Sequence, residues 1–189
     1  MSPILGIWAS AQQRAFDVGD YESIATVTVG AGGVSSIDLS SIPSTYTHLQ
    51  VRMMTRCTTA GSGLSNCVVR FNADGGLNYT YHVLFGNGGG SAGAGSTTGA
   101  AQAYFGTDTP QASATANAFG ANIIDILDYA NTNKYKTIRT LSGSDLNGSG
   151  DISLWSNLWL STAAINQLTF YTDANFAQHT QIALYGIKG

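Results

Sequence analysis

Acids and cations are scarce in this chain, and five of them fall in one short stretch. Residues 122–141 read NIIDILDYANTNKYKTIRTL and carry Asp125, Asp128, Lys134, Lys136 and Arg139. Only 10% of the 189 residues are charged, against roughly 25% in ordinary soluble domains. Such a cluster is either catalytic or the solvated end of a hairpin. Glycoside hydrolysis uses two carboxylates facing each other at ~5–9 Å across a sugar cleft. Asp125 and Asp128 are three apart, so on a strand they point to opposite faces and cannot act together.

The remaining chemistry-bearing residues are dispersed. His48, His82 and His179 stand alone, with no HxH or HExxH spacing for a metal. A Ser-His-Asp triad is a spatial arrangement, but no GxSxG elbow leads into a helix here. The segments NADGGLN (72–78) and GSDLNGSGD (143–151) have the oxygen-rich look of calcium loops. An EF-hand needs flanking helices and a terminal glutamate, and the only glutamate is Glu22. Both segments read as turns, with calcium the sharper alternative for Ser144, Asp145, Asn147, Ser149 and Asp151. No metal, cofactor or catalytic residue is assigned, and the chain reads as a non-enzyme.

The two cysteines lie in RCTTAGSGLSNCVVRF. If this is a hairpin, mirror pairing sets Cys57 opposite Cys67 on the inward face. They are then two reduced, half-buried thiols or a cross-strand disulfide. Two thiols this far apart with no histidine beside them do not make a zinc set. Trp155 and Trp159 are four apart in DISLWSNLWLS and share a strand face. They read as core or subunit interface, with sugar stacking the alternative, and Leu154 and Leu158 take the other face.

Bulk composition narrows the class. Hydrophobic residues make up 43% of the chain, and net charge is −3 with no basic run. That is too apolar for a disordered chain and offers no cationic patch for nucleic acid. Surface polarity must come from Ser, Thr, Asn, Gln and 23 glycines, which suits contact with neighbours or sugars. No apolar run approaches the ~18 residues of a membrane span, so membrane insertion is not expected. The opening MSPILGIWAS has no positive n-region and is broken by Pro3 and Gly6, so it does not read as a secretion signal.

The dominant periodicity is two. Leu49, Val51 and Met53 alternate with polar Gln50 and Arg52. ESIATVTVGAGGVSSIDLSSI reads as two short strands around GAGG, and NYTYHVLF, AQAYFG, DISLWSNLWLS, INQLTFYT and QIALYGIKG read as further strands. Residues 86–101, GNGGGSAGAGSTTGAA, read as a long flexible loop. DVGDYESI and STAAIN hint at a short turn or helix, the latter bridging sheets. In ANIIDILDY both faces carry apolar residues, so this strand reads as central and mostly buried. Asp125 then needs a partner, for which Arg139 on the returning strand is placed, while Lys134 and Lys136 sit solvated near the turn ANTN. Asn131 and Asn133 suit left-handed geometry there. Eight to ten short strands without a long helix predict an all-β chain: an antiparallel β-sandwich, jelly-roll-like, over residues 21–189. Residues 1–20 read as an extended N-terminal arm.

Several strings are distinctive: SPILGIWAS, YESIATVTVG, SSIPSTYTHLQVR, ANIIDILDYANTNKYKT and the ending ALYGIKG. In these the chain resembles a group of small virion structural proteins of tailed bacteriophages. The resemblance covers both ends and the middle, and weakens in the Gly-rich segment and around the cysteines. It implies a virion component made in the host cytoplasm: a capsid decoration or cement protein, a head fibre, or a tail-associated fibre module. Its partners would be other virion proteins and further copies of itself, as a homotrimer or similar homo-oligomer. A carbohydrate-binding fibre module reading a host-surface glycan is the alternative, with Trp155, Trp159 or the tyrosines of NYTYH as stacking platforms. Ile4, Leu5, Ile7 and Trp8 form an apolar tetrad ahead of the first strand and are the expected partner-binding residues, with Trp8 as anchor.

Overall fold

Alternating side chains set the architecture. The computed structural model describes residues 19–189, which form strands and turns without a helix. In chain order the strands are β1 (Tyr21–Thr28), β2 (Val34–Leu39), β3 (His48–Thr55), β4 (Leu64–Phe71), β5 (Tyr79–Asn87), β6 (Ala92–Ala100), β7 (Ala103–Pro110), β8 (Gly120–Leu127), β9 (Lys136–Asp145), β10 (Gly150–Trp159), β11 (Leu168–Phe176) and β12 (Gln181–Ile187). Eight form one sheet, in the order β1-β12-β3-β8-β9-β10-β5-β6. Four form the other, in the order β2-β11-β4-β7. Every pairing is antiparallel. The fold is the predicted antiparallel β-sandwich.

The chain passes repeatedly from one sheet to the other. β1 and β3 lie in the large sheet, while β2 and β4 lie in the small one. The two short strands flanking GAGG therefore form, but do not pair with each other. The same crossing overturns the hairpin expected around the cysteines. β3 and β4 are in different sheets, and Cys57 bridges instead to Phe176. Both thiols are free and buried. Residues 161–166 cross between β10 and β11, as expected of a bridge between sheets, but form no helix. DVGDYESI, where described, is a turn leading into β1.

The core lies between the sheets. Leu49, Val51 and Met53 of β3 join Val69 and Phe71 of β4 and Phe170 of β11 in one buried cluster. Within the cluster Phe71, Tyr79 and Trp159 pack ring against ring, with centroids 5.5–6.2 Å apart. Such aromatic pairs add to the stabilisation given by burial alone.

Two further features differ from the sequence reading. The Gly-rich segment is not a loop. Its residues 92–100 are the edge strand β6, paired to β5 from Tyr79↔Ala100 to Gly86↔Ala92. Backbone hydrogen bonds hold it without a core of its own. The ring of Phe85 covers Gly93, where an added Cβ would lie 2.7 Å from the ring. Glycine lets the aromatic ring lie flat on the strand.

Lys136 is the second difference. It is fully buried rather than solvated. Its ammonium donates to the carbonyls of Asn131, of Lys134 at 3.0 Å and of Thr162 at 3.2 Å. Burial, then the neighbouring Lys134 charge, lowers its pKa. The left-handed residue of this turn is Asp128, at φ 48°. Asn131 instead accepts the Asn133 N–H at 2.8 Å. One cation thus gathers three carbonyls that lie beyond the reach of strand pairing. Lys136→Met keeps the aliphatic stem and strands those carbonyls. It should cost about 2–4 kcal/mol, read as a lowered urea midpoint with an unchanged slope.

Candidate functional site

The charged stretch divides into two places that do not meet. At the hairpin end, Lys134 Nζ pairs with Asp128 Oδ2. The Asp128 N–H donates to His48 Nδ1 at 3.0 Å. Hydrogen bonding from Lys134 holds the Asp128 carboxyl below the usual aspartate range. This is a half-exposed ion pair fastening a turn. The stretch therefore includes the solvated hairpin tip.

Asp125 lies on the outer face of the large sheet, the side away from the small sheet. It faces Arg139 in register, but no ion pair forms between them. The donor to Asp125 Oδ1 is Gln50 Nε2, at 2.8 Å. Gln50 Oε1 in turn accepts from Tyr21 OH at 2.8 Å and from Arg52 Nε at 3.1 Å. The Arg52 guanidinium sits 5.7 and 5.8 Å from the rings of Tyr21 and Tyr185, which stack on each other. Asp125 is half-exposed rather than buried, because its strand is covered on one face only.

The same transverse row runs Asp125, Arg139, Ser156, His82 across β8, β9, β10 and β5. It holds the three residue types of a hydrolase triad. However, Asp125 and His82 are three strands apart, about 14 Å. Asp125 therefore cannot orient that imidazole. His179 sits in a turn at φ 71° with its N–H on the carbonyl of Val29.

A second carboxylate is sealed inside the sandwich. Asp108 of β7 is buried, and its Oδ2 accepts from Ser142 and, at 2.9 Å, from Ser153. Ser153 also accepts the indole N–H of Trp155 at 2.8 Å. Asp108 Oδ1, both side-chain heteroatoms of Asn122, and Thr140 Oγ1 have no hydrogen-bond partner among the described residues. Burial raises the Asp108 pKa, against the lowering by Ser142 and Ser153. No substrate reaches this group, since Asp108, Asn122, Ser142 and Ser153 are all buried.

Both loops that suggested calcium are turns. Asp74 accepts from Gly76 N at 2.8 Å, Asn78 Nδ2 at 3.0 Å and Trp159 Nε1 at 2.8 Å. Burial alone would raise its pKa, but these donors hold it below the ordinary value. In 143–151, Asn147 and Gly148 have φ of 62° and 103°, the two left-handed residues of a type I′ hairpin. Asp145 Oδ1 accepts the Asn147 N–H at 2.8 Å.

The tryptophans face inward, at 5% and 2% exposure for Trp155 and Trp159. Tyr79 is buried as well, and Tyr81 packs against Trp155 and Tyr104. The core reading of the tryptophans holds, and no sugar-stacking platform is available from them. The tetrad Ile4, Leu5, Ile7 and Trp8 lies outside the described residues.

What the large sheet does present is an aliphatic outer face. Met54, Leu84, Ile123, Leu141, Ile152 and Leu154 are 42–60% exposed. Beneath them, Asn122, Thr140, Ser142, Ser153 and Asn157 point inward and are buried. In this part of the molecule the usual order is inverted: aliphatic out, polar in. The signal was present in ANIIDILDY, whose two apolar faces suggested burial on both sides.

Comparison of the chain with family models, with curated proteins and with solved structures finds no match.

Two outcomes follow from these placements. Asp125→Ala should cost less than ~1 kcal/mol, as a half-exposed polar contact does, rather than the 3–5 kcal/mol typical of a broken buried pair. For Asp108 the sign is opposite to that of a salt-bridged acid. A raised pKa means the folded state holds the proton more tightly, so stability falls as pH climbs above 3.8, the ordinary aspartate value, toward the folded pKa. Asp108→Asn should therefore be more stable than the parent at pH 7, with the gap closing as pH falls toward 3.8. Urea unfolding at the two ends of that window checks this.

Proposed function

We propose that this chain is a non-enzymatic assembly protein, and more finely a structural component of a bacteriophage virion. The observation that carries the proposal is the aliphatic outer face of the eight-stranded sheet. Six large side chains left half in water are a liability unless another surface covers them. A chain with only 10% charged residues has little else with which to keep such a face apart from its neighbours. The dispersed histidines and carboxylates fit the same reading, since contact requires no converging set.

The virion assignment draws on the resemblance of SPILGIWAS, ANIIDILDYANTNKYKT and ALYGIKG to phage structural proteins. The strand order supports it. β1-β12-β3-β8 stacked on β2-β11-β4-β7, with the chain crossing between them, suits a jelly roll widened on one side by β9, β10, β5 and β6. Jelly rolls recur in viral capsid proteins. In this proposal the chain decorates the capsid or forms part of a fibre, is made in the host cytoplasm, and is held on the particle by Ile4, Leu5, Ile7 and Trp8. Burying such side chains is worth ~1.5–3 kcal/mol each, enough for a short arm to anchor a domain.

Immunogold labelling of intact particles should detect the full-length chain. A chain lacking residues 1–10 should retain the circular dichroism and cooperative unfolding of a β-sandwich and be absent from particles. Normal incorporation of the truncated chain would move the attachment surface elsewhere, and absence of the full-length chain from particles would overturn the virion assignment.

A further inference from the structure

We infer that the outer face of the large sheet is a homodimer interface, closed by a second copy of this chain across a twofold axis. The inference deepens the assembly reading above and rests on it. Cross-strand register resolves the face into two neighbouring rows. One is a ridge: Ile123, Leu141, Leu154 and Leu84 are successive direct partners across β8, β9, β10 and β5. The next row is a trough: Ala121, Gly143, Ile152 and Gly86 on the same four strands, again direct partners. Three of these four lack a side chain longer than a methyl group, and the depression there is bounded by Ile123, Leu141 and Ile152. β6 prolongs both rows with Ala94 and Ala92.

A ridge beside a parallel trough is self-complementary. A twofold axis lying between the rows, along their common direction, lays each copy's ridge over the other's trough. The two sheets then stack with their strands aligned, as face-to-face sheets do at ~10 Å. Ile152 comes opposite the partner's Leu154, an aliphatic contact. On β3, Arg52 continues the ridge and Met54 the trough, so Arg52 meets the partner's Met54 and no like charges are opposed. A residue on one copy contacts its counterpart's neighbour reciprocally, which is the signature of an isologous contact.

Size allows it. The whole outer face, eight strands at about 4.8 Å by some eight residues at about 3.3 Å, spans roughly 1,000 Å², with the two rows as its apolar centre. A standard interface needs about 800 Å² per partner. The inverted patterning argues the same way, because the layer outside β9 and β10 must be drier than the Ser- and Asn-lined layer inside. A second copy supplies that layer with a surface of the same composition. The polar row of Gln50, Asp125, Arg139 and His82 then forms one rim.

The test is sedimentation of the full-length chain, unmodified and as Leu141→Lys, Leu154→Lys and, off the face, Leu77→Lys. The unmodified chain and Leu77→Lys should be dimers at micromolar concentration. Each face variant should be a monomer with unchanged far-UV circular dichroism, since both side chains point away from the core. A second reading needs no substitution: peroxide oxidation of Met54 in the unmodified chain should be slow when concentrated and fast on dilution. An unmodified chain that stays monomeric to about 100 µM, or whose Met54 oxidises at one rate throughout, overturns the inference. So does an oligomer that both lysine variants leave intact. A monomer in which Leu154→Lys exposes residues 1–18 to protease would assign the face to the chain's own arm and likewise overturn it. A monomeric chain that still labels on particles would sink the dimer and leave the assembly reading standing. A dimer absent from particles would sink the virion assignment alone.

Discussion

A four-stranded sheet cannot cover an eight-stranded one on both faces, or even wholly on one. Everything distinctive in this molecule follows from that mismatch of width. Over β1, β12, β3 and β8 the small sheet supplies a conventional partner, and Leu49, Val51, Ile124 and Leu184 are buried against it. Beyond β8 the cover comes mainly from β7, with Tyr104 against Trp155 and Asp108 on Ser142 and Ser153, and from Phe71 of β4 against Tyr79 and Trp159. There the hydroxyls of Thr140, Ser142 and Ser153 and the amides of Asn122 and Asn157 join Trp155 in the inner layer, while Ile123, Leu141, Leu154, Ile152 and Leu84 point to the other side.

A chain with so few charges uses them to hold backbone. Arg56 donates to four carbonyls, those of Ala112, Ala114, Thr115 and Ala118, at 2.8–3.2 Å, and so shapes the loop between β7 and β8. Lys136 gathers three carbonyls at the other end of the sheet. Asp74 accepts from a backbone N–H and from the indole of Trp159, tying a turn to the core. Loops in a sandwich carry backbone groups that no ladder satisfies, and an ionised side chain makes the stronger hydrogen bond. The planar fork of Arg56 and the rotating ammonium of Lys136 are each suited to several acceptors at once.

The strands were legible because period-two alternation is local: β3, β5, β8, β10, β11 and β12 all lie where alternating residues indicate. What was not legible is which strand meets which. The spacing of Cys57 and Cys67 fits a hairpin, yet the chain crosses between sheets there, a choice made by partners far away in sequence. Lys136 looked solvated because cations beside turns generally are. Its burial depends on Thr162, in a crossing segment 26 residues on. The Gly-rich strand β6 carries almost no side-chain information, and only Phe85 over Gly93 marks its place. For the candidate site, the outer face was visible as apolar residues on both sides of ANIIDILDY. Read as burial, the pattern pointed to a covered strand. The fold supplies one cover, and Asp125 accordingly stands on the open side, held by Gln50.

Such inverted patterning is dangerous for a hairpin, since a slip of one residue turns every side chain to the opposite face. In β9 and β10 the slip would bury the leucines and expose the serines, which hydrophobicity alone would favour. Three features oppose it. The Asn147-Gly148 turn, with both residues left-handed, fixes how β9 and β10 leave the loop. Trp155 and Trp159 are far larger than the serines beside them and must stay inward. Asp108 completes the set. Ser142 and Ser153 are direct cross-strand partners, and both donate to the one carboxylate oxygen. A register shifted by one residue would leave Asp108 buried with neither donor, the costly condition for a carboxyl. The acid gives up stability at neutral pH through its raised pKa, and in return it defines which face of the hairpin points in. That choice keeps the aliphatic row on the outside of the sandwich.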